Sequence, residues 1–270
     1  MTRLRLSIFI TLCREWLTVI YPHYFSFKLP ILFFLIYPIS CLSQPTIACP
    51  QELPNHIKTK SLIKNILTLI PMPEVVIKAE GDATYQFILA EAYEHGVEVK
   101  QDFSRAYYWN IKAGNSGIAA AQHQLGLYNL FCTEDLNKSI EWFLAAIDNG
   151  DNPESIFYLA YIAVHFADEE SIRIEGVNKI KSMAVQGFPL AMLEFANLLK
   201  QGQYLSQDNK AAFLLYQDVV NRGYKPGLFE LSLCYLDGIG VVKNRKMYLD
   251  ILMKSANAGD KRAKRQLKYN

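Results

Sequence analysis

The side chains that could perform chemistry in this chain are few and lie far apart in the sequence. The five histidines are His23, His56, His95, His123 and His165. None of them belongs to an HExxH stretch or to a Cys/His spacing that binds zinc, and no GxSxG stretch marks a nucleophilic serine. The densest acidic run, Asp168-Glu169-Glu170, has only His165 beside it, which favours a solvated loop. The sequence therefore predicts no catalytic residue, no metal ion and no cofactor.

Charge and glycine patterns exclude further classes of partner. The 270 residues carry a formal net charge of +2 and are 51% hydrophobic, so no global charge imbalance indicates nucleic acid. Gly238-Ile239-Gly240 is a lone GxG without strands around it, unlike a nucleotide-binding loop. A basic cluster near the C-terminus predicts a polar end cap or, alternatively, a patch that faces phosphate or a membrane. Its residues are Lys261, Arg262, Lys264, Arg265 and Lys268.

Glycines recur at a nearly constant interval over the C-terminal two thirds of the chain. They are Gly81, Gly117, Gly150, Gly187, Gly223 and Gly259, with separations of 36, 33, 37, 36 and 36 residues. A large apolar residue follows each glycine after eight residues, or after nine in the third case: Leu89, Leu125, Leu159, Phe195, Leu231 and Leu267. Such a period predicts a repeat architecture in which each unit needs its neighbours to bury its apolar face.

One repeat contains two helical patterns. In the last full repeat, Leu231, Cys234 and Tyr235 lie on one face of a first helix, which Gly238 ends. A second apolar periodicity then runs from Tyr248 to Ala256. Small residues recur where the helices must approach closely: Ala90, Gly126, Ala160, Ala196 and Ser232. Each repeat is therefore predicted to be an αα-hairpin with small residues packed against large ones.

This pattern resembles the Sel1-like repeat family, a branch of the TPR-like superfamily. The matching stretches include LAEAYEHGVEV followed by RAYYWNIKAGNSG, and LSLCYLDGIGV followed by MKSANAG. The third repeat, around Leu159 and Gly176, matches poorly on its own. The resemblance covers about residues 77–270 and implies an all-α fold, a right-handed α/α superhelical solenoid of about five repeats. It also implies a protein-binding role without intrinsic chemistry.

The first 43 residues have the composition of an export signal. An apolar run from Leu29 to Ile39 follows Lys28, and its length suits a secretory signal better than a membrane-spanning helix. We expect cleavage before Gln44. Two alternatives stay open, a lipoprotein modified at Cys41 and an uncleaved N-terminal membrane anchor. The predicted location is therefore the periplasm or envelope of a Gram-negative bacterium, with membrane contact only through this segment.

Residues 44–76 are predicted to link the signal to the repeats. Several prolines interrupt this stretch, and Ser61–Ile70 has the pattern of a short amphipathic helix that caps the first repeat. Residues 77–270 form the predicted solenoid. Among the cysteines, Cys234 lies between apolar residues and is interpreted as a buried thiol.

A partner site is expected on the first helices, which generally line the concave face of an αα-solenoid. Counted from the key apolar residue of each first helix, positions −1, +2 and +6 share one face. Residues expected to contact a partner there are Glu91, His95, Gln124, Phe131, Tyr158, Tyr161, His165, Asn197 and Glu230. Aromatic rings flanked by polar groups suit a protein-binding groove. The alternative is that this face is solvated or that its rings fill the core between repeats.

These observations predict a non-enzymatic scaffold or adaptor of the bacterial envelope that binds a protein or peptide on its concave face. A sharper variant is an immunity-type inhibitor that blocks the active site of a toxin. The alternative, suggested by activities attributed to secreted members of the resembling family, is an envelope enzyme acting on peptidoglycan or β-lactams.

Overall fold

The computed structural model describes residues 56–150 and 152–269, with side chains from residue 60 onward. This part of the chain contains thirteen α-helices and no strand. The helices are α1 His56–Leu69, α2 Met72–Lys78, α3 Ala83–His95, α4 Phe103–Asn115, α5 Ala119–Phe131, α6 Leu136–Asn149, α7 Pro153–Phe166, α8 Glu170–Val185, α9 Pro189–Gln201, α10 Asn209–Asn221, α11 Gly227–Asp237, α12 Arg245–Asn257 and α13 Lys261–Leu267. The predicted all-α repeat fold is confirmed.

The chain divides into two compact units. Unit 1 ends at Leu159 and unit 2 begins at Ala160, so the boundary along the chain falls within α7. In unit 1, helix α3 packs against α4, and α5 packs against α6. In unit 2, α9 packs against α10 and α11 packs against α12. Each of these pairs consists of the first and second helix of one repeat, as the two helical patterns predicted.

Side-chain caps start four second helices of the repeats, α4, α6, α10 and α12. Asp102, Asp135, Asp208 and Asn244 each precede such a helix and accept a hydrogen bond from the backbone N–H three residues later. These bonds satisfy a backbone donor that has no partner inside the helix. The acid or amide before each second helix is a local signal that the repeat analysis did not use.

The small and large positions of the repeat form the core. Leu89, Leu125, Leu159 and Leu231 are buried, whereas Phe195 and Leu267 are only partly covered. The five small residues predicted at close helix contacts are all buried. Gly126 gives the clearest reason, because a Cβ atom there would lie 2.4 Å from the Phe143 ring. By contrast Trp109 of α4 is partly exposed and packs against the apolar cluster around Leu89.

The third repeat, whose sequence pattern is weak, still forms the helices α7 and α8. Gly176 of α8 faces the end of α7 that belongs to unit 2. A Cβ atom at this glycine would lie 2.9 Å from the carbonyl oxygen of Ala160 and 2.9 Å from Cγ2 of Val164. The absence of a side chain therefore lets the two helices approach closely, although the usual repeat residues are missing.

Two helices, α1 with 14 residues and α2 with 7, precede the first repeat. Ile63 and Leu67 of α1 and Val75 of α2 are buried in one apolar cluster with Leu89 and Val97. Residues 1–43, with the expected signal, lie outside the described part of the chain. The boundaries at residues 43 and 76 stay predictions. None of the helices in the described residues is both long enough and apolar enough to cross a bilayer.

Candidate functional site

The best-defined polar surface of the described residues lies in unit 2, on its first helices. We call Tyr161, His165, Glu194, Asn197 and Glu230 the unit 2 face. The rings of Tyr161 and His165, one turn apart on α7, have centroids 4.3 Å apart. Nε2 of His165 is 2.7 Å from Oε1 of Glu194 on α9. Burial, and secondarily the charge of Glu194, raises the pKa of Tyr161, so this phenol stays neutral and can donate a hydrogen bond.

The network continues along α9 to the second helix of the same repeat. The Asn197 amide donates to Oε2 of Glu194 at 3.4 Å, and the Tyr216 hydroxyl donates to Oδ1 of Asn197 at 2.5 Å. Burial, followed by nearby acidic groups, raises the pKa of Tyr216. The phenol therefore serves as a permanent donor that fixes the Asn197 side chain.

A bridge of ion pairs forms the C-terminal part of the unit 2 face. Glu230 of α11 accepts from Lys200 at 3.3 Å and from Arg262 at 2.9 Å. Arg262 also pairs with Asp260 and stacks over the Phe229 ring at 4.3 Å. The Glu230 side chain is 18% exposed and that of Lys200 is 25% exposed. These charges are partly withdrawn from water but still reachable by a partner.

Tyr158 was expected to contact a partner, but it lies in the core. It is only 3% exposed and stacks on Phe143 with ring centroids 5.5 Å apart and an interplanar angle of 8°. Phe131 and His123 pack against the same ring. The pattern of the first helices alone assigned Tyr158 to the surface, whereas in the fold the Phe143 ring of α6 covers it.

Glu91 and His95 were also expected to contact a partner, but they are buried, with exposures of 0% and 8%. Nε2 of His95 is 3.3 Å from Oε2 of Glu91. Glu94, also on α3, accepts a hydrogen bond from the Tyr128 hydroxyl of α5. Burial, and secondarily the charge of Glu91, raises the pKa of Glu94 to about 8. This part of unit 1 is a buried polar cluster rather than an accessible binding surface.

The raised pKa of Glu94 predicts a pH-dependent stability. The folded protein keeps this proton between pH 4.5 and about 8, whereas the unfolded chain releases it, so stability falls as pH rises through that window. Replacing Glu94 with glutamine should remove this loss. The melting temperature of Glu94→Gln relative to the parent should rise by at least about 5 °C between about pH 5 and pH 8.5.

The matched control for this experiment is Glu80→Gln, which changes an exposed carboxylate of the same unit. It should melt in parallel with the parent at both pH values. If Glu94→Gln also ran parallel to the parent, the buried carboxyl would not titrate in the proposed window.

The remaining residues expected on the partner face are partly accessible. Gln124 and Phe131 of α5 are half-buried in unit 1, and Tyr161, Asn197 and Glu230 are half-buried in unit 2. His165 is the most accessible member, with a side-chain exposure of 29%. Lys200, which pairs with Glu230, also lies over the Tyr216 ring at 5.6 Å. Within unit 2, this contact joins the predicted residues into one connected network.

An arrangement with the elements of a catalytic triad occurs in unit 1. Nδ1 of His123 lies 2.9 Å from the Ser155 hydroxyl, and its Nε2 lies 3.6 Å from the Glu154 carboxylate. Ser155 is 0% exposed, however, and a nucleophile must be able to reach its substrate. Burial lowers the pKa of His123 to about 4, so the ring is neutral. The buried hydrogen bond between His123 and Ser155 therefore links α5 to α7.

Two charged residues of the unit 2 network were not among the predicted contacts: Lys200 and Arg262. Glu194 lies at position −1 of its first helix and therefore on the face that the repeat pattern defines. A basic side chain late in one first helix, followed about 30 residues later by an acid early in the next first helix, was the signal for the pairs His165–Glu194 and Lys200–Glu230. No group of three or more metal-binding side chains occurs within residues 56–150 and 152–269.

Cys234 is a free, buried thiol, which confirms its interpretation as a core residue. Burial raises the pKa of this thiol to about 11.

Comparison with known proteins connects this architecture to a family. The Sel1 repeat family profile matches residues 83–118, 119–151, 189–217 and 226–247. The first two segments contain α3 to α6, and the last two contain α9, most of α10, α11 and the start of α12. No curated protein matches the chain in sequence.

Solved structures with similar folds include several Sel1 repeat proteins. A Sel1 repeat protein from Oxalobacter formigenes has a TM-score of 0.54 and 22% identity, over 77% of this chain and 84% of its own. One from Klebsiella pneumoniae has a TM-score of 0.47 and 17% identity, over 71% and 95% respectively. A protective antigen with an SLR fold from uropathogenic Escherichia coli has a TM-score of 0.42 and 18% identity, over 78% and 55%. The first likeness supports the fold.

Proposed function

Because this chain belongs to the Sel1 repeat family, we propose that it is a non-enzymatic adaptor that binds another protein or a peptide through its first helices. Sel1 repeat proteins generally mediate protein–protein interactions, and the family is generally a non-catalytic scaffold. The observation that carries the proposal for this chain is the unit 2 face. It combines accessible aromatic, imidazole and carboxylate groups in one hydrogen-bonded surface.

Pre-organisation is the physical reason why this surface suits a partner. The Glu194 side chain is held by His165 and Asn197, and Glu230 is held by two cations. Side chains that are already fixed lose little conformational entropy when a partner binds. Tyr161 can anchor the partner, since aromatic residues dominate binding energy at protein interfaces.

The test of this proposal is a pair of alanine variants. Tyr161→Ala and His165→Ala should each weaken partner binding by roughly 30-fold, equivalent to about 2 kcal/mol. Both should melt within about 2 °C of the parent, because neither side chain is fully buried. Binding is measured by titration calorimetry with the partner that co-purifies in stoichiometric amount.

The matched control is Leu214→Ala on the second helix α10, where the side chain is 51% exposed. It should leave affinity unchanged. An equal loss of affinity in Leu214→Ala and Tyr161→Ala would count against the unit 2 face. Early melting of the Tyr161 variant would instead identify this ring as part of the core.

We propose that the adaptor works in the bacterial envelope. The apolar run from Leu29 to Ile39, which follows Lys28, supports export. The N-terminus of protein recovered from the envelope should lie near Gln44. A lipid on Cys41 would favour the lipoprotein form, and full-length protein confined to the cytoplasm would contradict export.

An immunity-type role is a narrower form of the same proposal. Such an inhibitor would bind one toxin in a one-to-one complex and abolish the activity of that toxin. The alternative of an envelope enzyme on peptidoglycan or β-lactams has only the Ser155, His123 and Glu154 arrangement in its favour. Turnover by the purified protein that Ser155→Ala abolishes would establish the enzyme.

A further inference from the structure

The charge of this chain is unevenly distributed. Residues 222–269 contain eleven lysines and arginines and only four aspartates and glutamates, a net charge of +7. Residues 56–221 contain thirteen basic and twenty acidic residues, a net charge of −7. The small overall charge therefore conceals a strongly basic C-terminal region.

Part of this positive charge is concentrated where α12 begins. Residues 242–247, which we call the basic edge, are all exposed and include Lys243, Arg245 and Lys246. None of these three cations forms an ion pair within residues 56–150 and 152–269. Arg262 and Lys200, in the same unit, are paired with acids. The basic edge therefore presents charge that the fold leaves uncompensated.

The position of these cations is unfavourable for the helix that carries them. The N-terminus of an α-helix has a partial positive charge, so acidic residues stabilise it and basic residues destabilise it. Arg245 and Lys246 occupy the first turn of α12, which contains no acidic residue. Arg105 of α4 and Lys138 of α6 also lie in first turns, but each pairs with the aspartate that caps its helix. The cap of α12 is the uncharged Asn244, so an anionic surface outside the protein could compensate the charge of Arg245 and Lys246.

A further cation borders the basic edge through a close backbone contact. A Cβ atom at Gly240 would lie 2.1 Å from the carbonyl oxygen of Asn209 and 2.9 Å from Cα of Lys210. The loop before α12 therefore lies against the start of α10. Lys210 is exposed and also lies in the first turn of its helix, so it extends the same positive surface.

Apolar side chains lie among these cations. Val242 is 86% exposed and Met247 is 38% exposed, and they flank the three basic residues in the sequence. Highly exposed aliphatic groups beside cations suit a bilayer surface, where the cations meet anionic headgroups and the aliphatic groups enter the acyl boundary. Nucleic acid would match the charge but offers no apolar layer for Val242, and an acidic protein is distinguished from a bilayer by the vesicle experiment.

We propose that the basic edge is a second interaction surface, which binds the anionic surface of a phospholipid bilayer. Lys243, Arg245 and Lys246 contact lipid phosphates, and Val242 enters the headgroup layer. This binding holds the adaptor at a membrane independently of the partner bound by the unit 2 face, and independently of the N-terminal segment.

The experiment measures binding of the full chain to vesicles of phosphatidylcholine with or without about one third phosphatidylglycerol. The parent should bind the anionic vesicles at least roughly tenfold more tightly, and this preference should disappear at about 0.5 M salt. The triple variant Lys243→Glu, Arg245→Glu, Lys246→Glu should lose the preference. It should melt no earlier than the parent, because acids favour a helix N-terminus.

The matched control reverses the same amount of charge in unit 1 with Lys60→Glu, Lys64→Glu and Lys100→Glu, all at exposed positions. It should retain most of the preference for anionic vesicles. All variants share residues 1–55, so any contribution from that segment cancels. A second probe is Val242→Trp, which adds a tryptophan to the basic edge. The difference between its emission spectrum and that of the parent should shift to the blue on anionic vesicles only.

Three results would overturn the proposal. The first is a triple variant at the basic edge that keeps its full preference for anionic vesicles. The second is an equal loss of this preference in the unit 1 control. The third is an unshifted emission of Val242→Trp on vesicles that bind the protein. Retention of the parent by an acidic polypeptide but not by vesicles would assign the basic edge to a protein partner. None of these results bears on the unit 2 face.

Discussion

Replacing Phe143 with alanine is expected to lower the free energy of unfolding of unit 1 by about 3–5 kcal/mol. The Phe143 side chain is completely buried. Its ring fills the space over Gly126, stacks on Tyr158 and packs beside His123. Truncation leaves a cavity that Gly126 cannot fill, since glycine has no side chain. Chemical denaturation followed by the fluorescence of the adjacent Trp142 measures the loss.

The control for Phe143→Ala is Tyr108→Ala, which removes a ring that is 41% exposed on α4 of the same unit. It should cost less than about 1 kcal/mol. If both variants lost the same stability, the aromatic stack around Phe143 would not be the centre of this core.

The second large effect is expected at Gly240, in the loop between α11 and α12. Its φ is +68°, a conformation that L residues rarely adopt, and a Cβ atom would lie 2.1 Å from the carbonyl oxygen of Asn209. The obstacle is backbone, which cannot rotate away. Gly240→Ala should therefore destabilise unit 2 by roughly 3 kcal/mol, measured by denaturant unfolding.

Glu98 gives an internal comparison for this prediction. It lies two residues after the glycine that ends α3, as Gly240 lies two residues after the glycine that ends α11, and its φ is +58°. Glu98→Gly should stabilise unit 1 by about 0.5–1 kcal/mol, because it relieves the strained conformation. Opposite signs at the two positions are the expected result. A tolerated Gly240→Ala would contradict the close backbone contact.

The repeat architecture was predictable from the sequence because it depends on local and periodic features. The recurring glycines and the small residues of the first helices need no knowledge of distant contacts. Burial on the partner face was less predictable. Tyr158 and Glu91 share a helical face with accessible residues, but what covers them comes from other parts of the fold, as Phe143 does for Tyr158.

The polar network of unit 2 was predictable only in part. Tyr161, His165, Asn197 and Glu230 followed from their positions in the repeat. Their partners Lys200 and Arg262 did not, because the pairing depends on how far a long side chain reaches between repeats. Arg262 was interpreted as part of a polar end cap or of a patch facing phosphate or a membrane, yet it pairs with Glu230 and stacks on Phe229.

The central claim, that the unit 2 face binds a protein partner, is tested most directly by cross-linking in the producing cell. A photo-reactive amino acid is placed at position 161, on this face, and in a second variant at position 214, on the second helix α10. We expect one abundant protein adduct from position 161 and none from position 214. An adduct from position 214 without one from position 161 would contradict the assignment of the partner to this face.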